Sequence, residues 1–162
     1  MRTVYWDGEH NAVCMIDQRL LPQEEIYLDY TDYREVADAI RVMVIRGAPA
    51  IGAAAGYGMA LAALYGKVSG VEDLLEELEI AAQLISQARP TAVNLTWSFN
   101  RMMIQIGGSS GTIEEIRRAV LQEAQKLADE DVEINQRMAR YGAELISDGD
   151  VLLHHCNTGA LA

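Results

Sequence analysis

The sequence predicts a mainly α N-terminal domain, with a small antiparallel β element ahead of it and the first strand of a truncated α/β domain behind it. Three observations carry this. Short β-rich runs separated by turn residues fill positions 1–30, apolar residues recur at helical spacing through 31–147, and one short apolar run, Val151-Leu152-Leu153, opens 148–162.

The elements follow in order. Val4-Tyr5-Trp6 reads as a strand, Asp7-Gly8 as a turn and Ala12-Val13-Cys14-Met15-Ile16 as a second strand, while Leu20-Leu21-Pro22 and Ile26-Tyr27-Leu28 suggest a third extended piece. From Thr31 the pattern turns helical. Thr31 is placed to cap, Glu35 and Asp38 sit in or near the first turns, and Val36, Ala39, Ile40 and Met43 share a face.

Gly47 to Gly66 runs twenty residues without a charge, the length of a membrane span. Its residues are mostly Ala and Gly, Pro49 stands near its start and no basic cluster flanks it, so a buried helix is the better reading. Gly52, Ala53, Gly56 and Ala60 recur at helical spacing and let another element approach closely. Val71, Leu74, Leu75, Leu78, Ala82 and Ile85 form the next amphipathic helix, which Arg89-Pro90 ends because a residue before proline avoids helical geometry. Asn94 to Ile106 is a further helix, closed by the break Gly107-Gly108-Ser109-Ser110-Gly111. The longest signal then steps by threes and fours from Ile113 to Leu145, missing one beat at Asp131, with an acidic face read as solvated surface. After the turn at Ser147-Asp148-Gly149-Asp150, Val151-Leu152-Leu153 has the character of a buried parallel strand, whose crossover and partner strand do not fit in the six residues after Cys156.

Composition bounds the function. The chain of 162 residues is half hydrophobic, enough for a core, and its net charge of −11 disfavours binding to a nucleic-acid backbone. Any phosphorylated ligand must be held locally. Two cysteines are too few for a disulfide scaffold and the first residues lack the apolar run of a signal peptide, so the expected compartment is cytoplasmic.

Three groups of residues have the chemistry for a site. In Arg46-Gly47-Ala48-Pro49 an arginine and two unobstructed amides precede a helix whose first position suits Pro49, an arrangement that holds a phosphate; it is also what an ordinary helix start with a surface ion pair looks like. Arg89-Pro90-Thr91-Ala92-Val93-Asn94 repeats the pattern, with Thr91 and Asn94 as possible caps, and the two arginines together would clamp one phosphate dianion. His154-His155-Cys156-Asn157-Thr158-Gly159 follows the apolar run, where ligands bind in open α/β sheets. A cysteine there is a nucleophile, an acid or a small buried side chain, a choice that turns on its pKa. His154 and His155 are adjacent and point to opposite faces of a strand, and the cysteines have no paired ligand spacing, so no metal site is expected.

Asp17-Gln18-Arg19-Leu20-Leu21-Pro22, Ile45 to Gly52, Arg89 to Leu95 and His155 to Gly159 occur in the order and approximate spacing of the S-methyl-5-thioribose-1-phosphate isomerase family, which the chain resembles over essentially its whole length. The resemblance implies an aldose–ketose isomerase of methionine salvage that converts S-methyl-5-thio-D-ribose 1-phosphate to S-methyl-5-thio-D-ribulose 1-phosphate. It implies no cofactor and no metal, a sugar-phosphate ligand rather than nucleic acid or membrane, and a homodimer as the full-length protein. On the matching positions, Arg46, Gly47, Ala48 and Arg89 would bind substrate, and Cys156 would assist proton movement or stabilise the transition state. The wider superfamily also includes ribose-1,5-bisphosphate isomerases and non-catalytic regulatory subunits of a translation initiation exchange factor. Family enzymes continue into a C-terminal Rossmann-like domain with a catalytic aspartate and an Asn-Lys pair. A chain ending at Ala162 is therefore expected to be a fragment of the parent enzyme, inactive alone, with Val151-Leu152-Leu153 as an unpaired edge.

Overall fold

The protein is described by a computed structural model covering residues 2–107, 111–155 and 159–161. Three strands, β1 (Val4–Asp7), β2 (Ala12–Ile16) and β3 (Tyr27–Tyr30), form an antiparallel meander in the order β1-β2-β3. Val13 pairs with Trp6 on one side and Tyr30 on the other, so β2 is central, and all five of its residues are buried. Leu20-Leu21-Pro22 is a turn rather than part of the third strand. Trp6 stacks on Tyr57 with ring centroids 6.2 Å apart, seating the sheet on the helices.

Five helices follow: α1 (Tyr33–Arg41), α2 (Ala48–Tyr65), α3 (Val71–Ala88), α4 (Val93–Gly107) and α5 (Ile113–Ala143), with a short 3₁₀ turn at Gly159–Leu161. The predicted capping residue of α1 is off by one. Asp32 caps it by accepting from the Arg34 N–H, its ionised carboxylate being a stronger acceptor than the Thr31 hydroxyl. Met43 leaves the expected apolar face because the helix ends at Arg41; it has φ +62 and is exposed, while Val44 and Ile45 enter the core instead. The start of α5 carries a capping box between Thr112 and Glu115, a signature readable in Thr112-Ile113-Glu114-Glu115.

The core is organised around α2. Every residue from Ala50 to Ala63 is buried, as expected for a helix apolar on all sides. Although long and apolar enough to cross a membrane, it is a core helix here, wrapped by the sheet and the other four helices. Its glycines define how close the wrapping comes. A Cβ on Gly52 would fall 3.0 Å from Ser98 Oγ and one on Gly58 only 2.7 Å from Ile85 Cδ1, whereas one on Gly56 would make ordinary contacts of 3.6–3.7 Å with Ala124.

The same contacts fix direction. Gly66 meets Glu77 while Gly58 meets Ile85, so α3 runs antiparallel to α2. On the other side Arg117 reaches Ala63 and Gly66 while Gly56 meets Ala124, so α5 is antiparallel as well. At 1.5 Å per residue α5 is about 46 Å long against about 27 Å for α2, and it runs past the α2 N-terminus. That overhang explains why the apolar stripe at Ile134, Met138, Tyr141 and Leu145, continuous in sequence with buried Val120, Ala124 and Leu127, is exposed. The acidic face of α5 is mostly solvated, but Glu123 is buried against Arg101 at 2.6 Å. Val151 and Leu153 are almost wholly exposed, Leu152 is exposed as well, and the three pair with no strand among the described residues, so the expected buried parallel strand is not formed there.

Candidate functional site

Four chain segments lie toward the N-terminal end of α2. Residue Gly47 is the N-cap of α2, with φ +91 and ψ 133, a backbone conformation that only glycine adopts without strain. Among the described residues no side chain caps the helix there, and no acidic residue stands in its first turn. Its amides, including that of Ala48, are therefore available to an anion, and the helix dipole favours one. The helix begins at Ala48, which makes Pro49 its second residue rather than its first; either position leaves the missing N–H harmless. The exposed Arg46 precedes this end.

Arg89 is the C-cap of α3, half-buried, and the turn that follows is closed by Ala92 N–H donating to the Arg89 carbonyl at 2.9 Å. Because α3 is antiparallel to α2 and Asn94 of α4 packs beside Gly52, this turn lies at the same end of the bundle as Gly47. Asn94 faces α2 from within α4, which begins at Val93, so it does not serve as the cap expected of it.

The third segment is the turn after β2. Asp17 is 2% exposed, and its carboxylate accepts from the Arg19 backbone N–H at 3.0 Å, from Arg19 Nε at 2.8 Å and from Nη2 at 2.6 Å. The Arg19 guanidinium, the largest influence, holds the Asp17 carboxyl below the usual carboxylate range. Next to this locked turn, Gln18 donates its backbone N–H to the Val44 carbonyl at 2.9 Å and its side-chain Nε2 to the Arg46 carbonyl at 3.3 Å. No local sequence signal marks Gln18 for this place.

The fourth segment is the 3₁₀ turn at the end of the chain. Leu161 presents its carbonyl to the same Gln18 Nε2 at 3.2 Å, and Ala160 accepts from the buried Thr3 hydroxyl at 2.5 Å. These contacts bring the residues just after the Cys156 motif back to the Arg46 loop. Cys156, like Asn157 and Thr158, lies outside the described residues. Among the described residues no group of three or more His, Cys, Asp or Glu side chains is placed to hold a metal ion. A cleft of about 340 Å³, lined by Tyr33, Arg34, Tyr65, Lys67 and Glu77, lies at the opposite end of α2 and does not reach Arg46 or Arg89.

A helical bundle around a buried α2, with an uncapped glycine-led start beside an arginine, matches known proteins in sequence and shape. Residues 44–162 match the Initiation factor 2 subunit family, and the chain belongs to that family. It is 47% identical over 159 residues to the methylthioribose-1-phosphate isomerase of Syntrophotalea carbinolica, covering 98% of this chain and 45% of that protein. With the methylthioribose-1-phosphate isomerase of Thermosipho africanus it shares 44% identity, over 99% of this chain and 45% of the relative. Among solved structures, 5-methylthioribose 1-phosphate isomerase from Pyrococcus horikoshii OT3 superposes with a TM-score of 0.91 at 47% identity, over 99% of this chain and 44% of that one. The translation initiation factor eIF-2B subunit delta from A. fulgidus gives 0.87 at 42% identity, over 99% and 46%. The chain thus spans less than half the length of these relatives.

Proposed function

We propose that this chain carries the phosphate-binding half of a sugar-phosphate isomerase site, in a protein that converts S-methyl-5-thio-D-ribose 1-phosphate to S-methyl-5-thio-D-ribulose 1-phosphate. The observation that carries this reading is the uncapped, glycine-led N-terminus of α2 beside Arg46. In it, Gly47 and Ala48 amides and the Arg46 and Arg89 guanidinium groups hold the phosphate on C1. That phosphate blocks simple ring opening to a free aldehyde, so the reaction needs groups that move protons near C1 and C2, and Cys156 is the candidate within this chain. A water-poor pocket would strengthen these contacts and tune the acid/base groups.

The remaining length of the relatives supports a second half, a Rossmann-like domain beginning near residue 148, that would face the α2 N-terminus and supply the rest of the catalytic groups. The apolar overhang of α5 at that end is consistent with such a neighbour. In this reading the 162-residue chain binds phosphate but does not turn substrate over, and the full-length protein is a cytoplasmic homodimer acting in methionine salvage, without nucleic-acid or membrane partners.

The likeness to the eIF-2B subunit delta structure favours a second reading, a non-catalytic regulatory subunit of a translation initiation complex. Ribose 1,5-bisphosphate isomerisation is the alternative reaction. Assaying the protein encoded by the complete reading frame separates them. Turnover of methylthioribose 1-phosphate that Cys156→Ser abolishes, with binding retained, supports the first reading; turnover of ribose 1,5-bisphosphate alone supports the alternative, and no turnover with loss of a protein complex supports the regulatory one.

A further inference from the structure

Among the described residues, the Gln18 side chain hydrogen-bonds both the Arg46 loop and the Gly159–Leu161 turn. Its Nε2 carries two N–H groups, and both partners, the carbonyls of Arg46 and Leu161, are pure acceptors. The orientation of the amide is therefore fixed by its partners, since turning it over would set its oxygen against two carbonyl oxygens. The partners are 28 and 143 residues away in sequence, so each bond closes a long loop rather than decorating a local turn.

The base of this bridge is stiff. Asp17 is buried and takes three donors from Arg19, and the Gln18 backbone N–H is tied to Val44, two residues before Arg46. Gln18 thus holds the Arg46 loop at two points and the chain end at one. The Arg46 carbonyl belongs to the peptide unit whose nitrogen is that of Gly47, so fixing it also orients the Gly47 N–H. Thr3 holds the 3₁₀ turn through Ala160, and its hydroxyl makes no hydrogen bond to the Arg46 loop among the described residues.

We propose that Gln18 is a positioning residue, a strut that sets the Gly47 amide and the Gly159–Leu161 turn at a fixed separation. The geometric half of the proposal stands alone; its meaning for a sugar phosphate rests on the function proposed above. Gln18 itself makes no contact with ligand in this assignment. It orders two walls before ligand arrives, which lowers the cost of ordering them on binding.

Backbone-amide NMR on the 162-residue chain tests this. In the wild type, the Gln18 side-chain amide protons should show through-hydrogen-bond couplings to the Arg46 and Leu161 carbonyl carbons. Gln18→Met keeps the side-chain length and removes both donors. Without ligand it should lower order parameters at Arg46–Gly47 and at Gly159–Leu161 together while leaving α3 and α5 unchanged; Thr3→Val should loosen Gly159–Leu161 alone. On titration with inorganic phosphate, wild-type shifts at Gly47 and Ala48 should extend to Gly159–Leu161. Gln18→Met should cut that transmission and raise the phosphate Kd by about threefold to tenfold, the worth of an ordinary hydrogen bond. Absent couplings in the wild type, or a Gln18→Met chain whose two segments stay as ordered as before, would overturn the strut. The couplings decide the matter even if Gln18→Met fails to fold. If phosphate leaves Gly47 and Ala48 unmoved in the wild type, the phosphate site fails, and the strut is judged by the couplings and the ligand-free order parameters.

Discussion

Arg117 of α5 donates from Nε to the carbonyl oxygen of Ala63 at 2.7 Å, and its Nη2 reaches the Gly66 carbonyl at 3.1 Å. The last turn of α2 has no basic residue of its own, so a side chain from another helix reaches the carbonyls at its C-terminal end, that of Gly66 being shared with the Val68 N–H. Arg117→Met keeps the apolar stem and removes both bonds. Hydrogen bonds from a charged donor are worth about 1.5–3 kcal/mol, and urea unfolding should show a loss in that range without a change in m-value.

Gly56 and Gly52 should respond to alanine in opposite directions. A Cβ on Gly56 meets only ordinary contacts, so Gly56→Ala should stabilise by about 0.5–1 kcal/mol through helix propensity. Gly52→Ala would press on the buried Ser98 Oγ at 3.0 Å, and the net change should be a loss. Paired thermal melts would settle the comparison; equal shifts of the same sign would contradict it.

Gly47 carries a backbone strain requirement as well as an amide of the proposed anion site. At φ +91 any side chain costs about 1–3 kcal/mol. Gly47→Ala is expected to lower the melting temperature and weaken phosphate binding together, whereas Arg46→Met should weaken binding with little change in melting, because Arg46 is exposed.

Asp17 gives the fold an acid-sensitive anchor. Arg19 lowers its carboxyl pKa in the folded state, so the contribution is fully present above the unfolded value of about 3.9 and is lost as pH falls through the lower folded value. Stability measured from pH 5 down to pH 2 should therefore fall less steeply for Asp17→Asn than for the wild type. A parallel pair of curves would remove Asp17 from the account.

Cys14 should be inert. It is 4% exposed, and burial, the largest influence, pushes its thiol up to about 11. Since the thiolate is the reactive form, mass spectrometry after iodoacetamide treatment at pH 8 should find Cys14 unmodified in the folded chain and alkylated in urea.

The helices were the most legible part of the sequence, because period and punctuation agreed: Val71 to Ala88 ends where Arg89-Pro90 requires. Where two local signals competed the reading slipped, as at Thr31 and Asp32, adjacent residues that can both cap. The exposed stripe from Ile134 to Leu145 shows a different limit. Periodicity reveals which face is apolar and says nothing of what covers it, and the covering ends where α2 ends. For the site, Arg46, Gly47, Ala48 and Arg89 stood out through composition and neighbouring proline, but Gln18 did not. Its role depends on contacts 28 and 143 residues away, and no pattern within a short window encodes them.

The packing of α2 has a consequence for how this protein can change over time. One helix serves as both the axis of the core and the floor of the candidate anion site, with its buried stretch beginning at Ala50, three residues after Gly47. Substitutions that tilt or shift that axis reposition the site even when they lie far from it. Drift in ligand preference would then have to proceed through the surrounding turns, at Gln18, Arg46 and Arg89, while the helix itself stays nearly frozen.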